Sequence, residues 1–154
     1  MFEKALWKGK IAEDIVRRHL EGKGWNVFQP KTKGGHAFDM LCIKDKRHAF
    51  AADIKCKARM NFKPVTGVDA NAMKVYRNFS VRHNMPFWLI FADEAEKRIY
   101  GNSIANLGIG QTMVTKQGAV FEYWPLADMV SIAEINDDDV FLMKDASQRG
   151  YGYA

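Results

Sequence analysis

Two strand-like runs, 37–43 and 48–57, are separated by only Lys44-Asp45-Lys46-Arg47, a link short enough for a β-hairpin. Each run carries one acid among apolar neighbours. Asp39 sits between Phe38 and Met40-Leu41, and Asp53 between Ala51-Ala52 and Ile54. Burying carboxylates in a small core is costly unless something compensates, and a divalent cation is the obvious compensation. Side chains alternate along a strand, so Phe50, Ala52, Ile54 and Cys56 share one face and Ala51, Asp53, Lys55 and Lys57 share the other. Asp53 and Lys55 are therefore neighbours. An ammonium group beside a cation is the equipment that phosphodiester hydrolysis requires.

Upstream, residues 4–22 read as a helix, with Leu6, Ala12, Val16 and Leu20 on one stripe and Trp7, Ile11 and Ile15 on a second. Glu13 falls on the first stripe, which directs it towards the sheet, while Asp14 faces the basic flank of Lys10 and Arg17. Gly22 and Gly24 stop the helix. A short strand at 25–28 ends before Pro30, and Lys31-Thr32-Lys33-Gly34-Gly35 forms a basic loop. Residues 58–65 read as irregular. Thr66 is expected to cap a helix over 69–83, with Asp69 three residues later. Strands follow at 87–91, 97–101 and 120–124. The stretch 101–118 has no clear pattern, and the tail from Asp137 reads as peripheral. The order helix, strand, strand, strand, helix, strand predicts an α/β or α+β sheet flanked by helices.

The 154 residues suit a single domain, and an apolar content of 47% is enough for a core. A net charge of +5 favours an anionic partner, nucleic acid first. Cys42 and Cys56 lie inside the strands without metal-type spacing, so free thiols in a reducing compartment are expected. No apolar run is long enough to span a bilayer, and Met1-Phe2-Glu3-Lys4 is not a secretory leader. A cytoplasmic protein without membrane association is expected.

The ordered set Glu13, then Phe38-Asp39, then Asp53-Ile54-Lys55 resembles the PD-(D/E)XK nuclease superfamily. The particular branch is the one that includes Holliday-junction resolvases and small phage or repair endonucleases. Thr66-Gly67-Val68, the helix bearing Tyr76, and the strand Pro86-Phe87-Trp88-Leu89-Ile90-Phe91 extend the likeness over roughly residues 5–100. Phe38 replaces the proline of the family name, and 101–154 matches nothing in it. The resemblance implies a restriction-endonuclease-like core of αβββαβ order with a mixed central sheet, plus a C-terminal extension, in one domain. It implies a Mg2+- or Mn2+-dependent deoxyribonuclease of bacterial, archaeal or phage origin, selective for DNA structure, with a homodimer as the arrangement that resemblance to resolvases suggests. Asp39, Asp53, the Ile54 carbonyl and Glu13 would hold the metal, and Lys55 would act on the attacking water and the scissile phosphate. Lys74 and Tyr76 occupy a substrate-facing helix.

Lys31, Lys33, Lys57, Arg59 and Arg77 are the remaining expected contacts to nucleic acid, DNA before RNA. The competing reading is a non-catalytic nucleic-acid-binding module or phage accessory protein on the same fold. His19, His36, His48 and His83 lack ligand spacing. Gly34-Gly35 reads as a turn, since no phosphate-loop pattern accompanies it.

Overall fold

A computed structural model of the chain describes residues 2–31, 36–57 and 64–151, with side chains from 8 to 146 within those ranges. The expected DNA contacts Lys33 and Arg59, the loop glycines Gly34 and Gly35, and the end of the tail lie outside the described residues.

Helix α1 (Phe2–Gly22) buries Ala12, Ile15, Val16 and Leu20, the stripes read from the sequence. Its outer side is laced by Asp14 with Arg17 and Arg18, and by Arg17 with Glu21. Gly24 adopts a φ of 92° in the turn that follows, a conformation glycine takes without steric cost. Strands β1 (Asn26–Phe28), β2 (Met40–Asp45) and β3 (His48–Lys57) run antiparallel in succession. β3 then pairs in parallel with β5 (Phe87–Asp93), which pairs antiparallel with β6 (Arg98–Ser103). The outer edge is β9 (Val130–Glu134). The six-stranded sheet thus has the order β1-β2-β3-β5-β6-β9 and is mixed, as expected.

The two faces of β3 enter two separate cores. Phe50, Ala52 and Ile54 pack beneath α1, whereas Ala51 packs with Met73 and Tyr76 of α2 (Ala70–His83).

Several expectations are corrected. Thr66 does not cap a helix: Val65–Asp69 is a strand, β4, and Asp69 is the cap, accepting from the N–H groups of Asn71 and Ala72. The αβββαβ order therefore gains a strand before α2. β4 lies in a second sheet of order β4-β8-β7, with β7 (Gln111–Val114) and β8 (Val120–Pro125). A Cβ on Gly67 would lie 2.3 Å from the Glu122 carbonyl oxygen, so β4 and β8 approach this closely only because residue 67 has no side chain. The unpatterned stretch after residue 101 holds the end of β6, a one-turn helix α3 (Ile104–Leu107) and β7.

The tail is likewise structural. Asn136 accepts from the Asp139 N–H, and Asp137–Tyr151 forms helix α4. Three acids in its first turn suit the positive end of the helix dipole. Val140, Met143 and Ala146 are buried, the first two in the core beneath α1, and Arg18 bonds Asp139 at 3.0 Å. What reads as an acidic tail is a helix start.

Candidate active site

Strand β2 begins at Met40, paired with Ala52, whereas β3 continues to Lys57. Beyond Met40, the edge of β3 has no strand beside it on that side among the described residues. The Asp39 N–H still donates to the Ala52 carbonyl at 2.9 Å, which carries Asp39 to the corner. Its carboxylate then accepts the Ile54 N–H at 2.8 Å, standing where the next residue of a neighbouring strand would bond. By strand alternation the Ile54 carbonyl lies along the same edge as its N–H. Phe38 is held by its ring, which meets Phe79 of α2 edge-on at 5.4 Å.

Three carboxyl groups meet at this corner. Asp53, on the α2 face, is 5% exposed and lies within interaction range of Asp39. Glu13 reaches the same corner from α1 on the opposite face and hydrogen bonds with Asp39. Burial and then the negative charge of Asp53 push Asp39 up to about 7, against the opposing pull of the Ile54 N–H. Burial also raises Glu13, with Asp53 adding to the rise and the Asp39 hydrogen bond resisting it.

Lys55 Nζ stands 3.3 Å from Asp53 Oδ2 and remains nearly half exposed. The contact does not meet hydrogen-bond geometry, and Asp53 Oδ2 is buried with no hydrogen-bond partner among the described residues. A buried carboxylate oxygen without a donor carries a desolvation cost that a cation would offset. Mg2+ takes oxygen ligands and is usually held by one or two carboxylates, with water and substrate phosphate completing its shell. The donor set at this corner fits that description. Among the described residues, no three or more His, Cys, Asp or Glu side chains are gathered so as to hold a metal ion by themselves.

Tyr76 is buried and stacks on Phe87 at 4.6 Å. Burial and then Asp53, by charge and by hydrogen bonding, push its hydroxyl well above the usual tyrosine range. Its hydroxyl lies beside the Asp53 carboxylate. This contact was not legible in the sequence; the only signal was that Tyr76 and Met73 share one stripe of the helix covering the Asp53 face.

Other expected contacts have partners of their own. Lys57 donates to the Val65 carbonyl at 2.8 Å, and burial lowers its pKa. Arg77 forms a two-pronged pair with buried Glu122, which also accepts from the Gly110 N–H at 2.9 Å. These contacts tie α2 to the second sheet. Lys31 and Lys74 are exposed.

No protein-family model matches the chain, and no curated protein matches it. Among solved structures the protein is similar to the Holliday junction resolvase Hjc of Archaeoglobus fulgidus, an archaeal hyperthermophile. The TM-score is 0.61 over 81% of this chain and 92% of that chain, at 12% sequence identity. The fold expected from the order of elements and from the resemblance, a mixed sheet flanked by helices, is the fold observed. The structural neighbour belongs to the superfamily those residues resemble.

Proposed function

We propose that the protein is a divalent-metal-dependent nuclease that hydrolyses phosphodiester bonds in DNA and selects its substrate by structure. The observation that carries this reading is the corner beyond Met40. There the buried Asp53, the half-buried Asp39, a third acid from α1 and one half-exposed lysine converge, and one buried carboxylate oxygen has no hydrogen-bond donor among the described residues. The likeness to a Holliday junction resolvase supports it at the level of the fold.

Asp39 and Asp53 would hold Mg2+ or Mn2+, with the Ile54 carbonyl and Glu13 beside them. Such an ion supplies Lewis-acid stabilisation of phosphoryl charge and acidifies a water. The chain itself supplies the rest. Asp39 is held by the Ile54 N–H, and Asp53 stands beside Tyr76 and Lys55. Lys55, exposed at its tip, offers a positive charge to the scissile phosphate and orients the attacking water. No helix-turn-helix or zinc-finger pattern is present in the sequence, which supports selection by shape over base reading. A homodimer would place two such corners on two strands.

The test incubates wild type and Asp53→Ala with branched, linear and single-stranded DNA, with and without Mg2+ or Mn2+. Cleavage should require the cation and fall by at least about a hundredfold in the variant, while DNA binding persists. Cleavage at the wild-type rate in Asp53→Ala would refute the assignment.

A further inference from the structure

Beside the corner, between the end of β3 and the outer face of the second sheet, runs an open groove of about 470 Å3. Lys55 and Lys57 form its main-sheet side, and Met113, Phe121 and Tyr123 form its other wall. Two residues of β8 point inward, Trp124, which is buried in the core, and Glu122, which pairs with Arg77. Phe121 and Tyr123 lie on the opposite face of the strand, half-buried along the groove. Register explains why they act together. Phe121 is paired with Met113 and Tyr123 with Gln111, so all four share one face. The Tyr123 hydroxyl donates to Gln111 at 2.9 Å, which holds the ring. Met113 is 51% exposed. Two half-buried aromatic rings beside a half-exposed methionine give this wall a flat apolar surface.

The occupant follows from charge and from continuity. The groove shares Lys55 with the acidic corner, so whatever lies in it is continuous with whatever is cut there. Lys57 donates to the Val65 carbonyl within electrostatic reach of Asp93 and Glu96, and Lys55 is nearly half exposed at the groove's edge. An aromatic wall beside a cationic edge is the arrangement that binds unpaired nucleotides, with the base on the rings and the phosphate on the ammonium groups. A fully paired duplex presents no free base face to such a wall.

We propose that this groove receives an unpaired nucleotide next to the scissile phosphate, its base against Phe121 and Tyr123 and its backbone along Lys55 and Lys57. The substrate class is therefore DNA with a flap, gap or unpaired junction arm. This inference rests on the proposed nuclease for the position of the cut, but the groove can be tested apart from cleavage.

The experiment uses the full chain with two oligonucleotides, one carrying 2-aminopurine in an unpaired flap and one carrying it within a continuous duplex. Binding is followed in EDTA by fluorescence and anisotropy, and cleavage separately in Mg2+. Wild type and Asp53→Ala should both quench the unpaired probe. Phe121→Leu and Tyr123→Leu, which keep apolar volume, should lose the quenching and bind the flap about tenfold more weakly, with duplex affinity unchanged. Met113→Glu, at an exposed position, gives the same readout if a leucine variant fails to melt cooperatively. Unchanged quenching in these variants, or equal losses on flap and duplex, overturns the groove assignment even if cleavage is intact. Groove-dependent quenching without any Mg2+-dependent cleavage leaves the groove standing and removes the nuclease reading.

Discussion

Asp39 takes the place of a missing strand residue beside Ile54, accepting its N–H at 2.8 Å where β2 has already ended. The hydrogen bond holds one carboxylate of the candidate centre in position, and the crowding of acids around it raises its pKa to about 7. The same residue is thus anchored by a neutral donor and strained by its charge.

Asp39→Asn separates those effects. The amide oxygen can still accept from Ile54, while the repulsion with Asp53 and Glu13 disappears. Without metal at pH 8, the variant should melt higher than wild type by roughly 3 °C or more, about 1 kcal/mol for a chain of this size. The upward shift that Mg2+ gives wild type should vanish. A variant that melts lower than wild type in EDTA would show that the charge is not a burden.

The pH dependence follows from the same carboxyl. Asp39 titrates near 3.8 in an unfolded chain and near 7 in the folded one, so between those values the folded state holds more protons. Metal-free stability should therefore decline as pH rises from 3.8 to about 7 and level off above it. Added Mg2+ should restore most stability at the alkaline end, where the carboxylates are ionised. Denaturant titrations at pH 5 and 8, in EDTA and in MgCl2, measure this. Asp39→Asn should flatten the metal-free slope.

Arg77 was expected at a nucleic-acid face, and its pairing with buried Glu122 leads to a different expectation. Arg77→Ala leaves a buried carboxylate without its cation and should cost about 2–3 kcal/mol, the lower part of the range for a buried pair because Arg77 is partly exposed. Adding Glu122→Gln to Arg77→Ala should recover part of that loss. Chemical denaturation of the two variants checks it. A double variant no more stable than Arg77→Ala would mean that the pair does not carry the joint between α2 and β8.

Truncation before Asp137 should be severe. It removes Val140, Met143 and Ala146 from the core and the Asp139 partner of Arg18. Burial of Val140 and Met143 alone is worth about 3–6 kcal/mol before the entropy of ordering the helix is subtracted. Circular dichroism melting should show a drop of at least about 10 °C, or loss of a cooperative transition. A peripheral tail would leave the melting temperature unchanged.

What was legible in the sequence is what short-range pattern controls. The α1 stripe, the 37–57 hairpin, the second helix and the buried strand at Phe87 each carry their period within a few residues, and Asp53 with Lys55 follows from alternation alone. What was not legible depends on partners far along the chain. Thr66 reads as a cap until Gly67 is found opposite Tyr123, and Val130–Glu134 is not picked out as a strand until Ala133 is found opposite Ile99. Arg77 reads as a free cation until Glu122 is buried beneath it. Local chemistry chose the acids and the lysine. Only the packing of α1 and α2 on opposite faces, around the point where β2 stops, decided that Glu13, Asp39 and Asp53 meet, because a strand's end is fixed by the neighbours it has and not by its own residues.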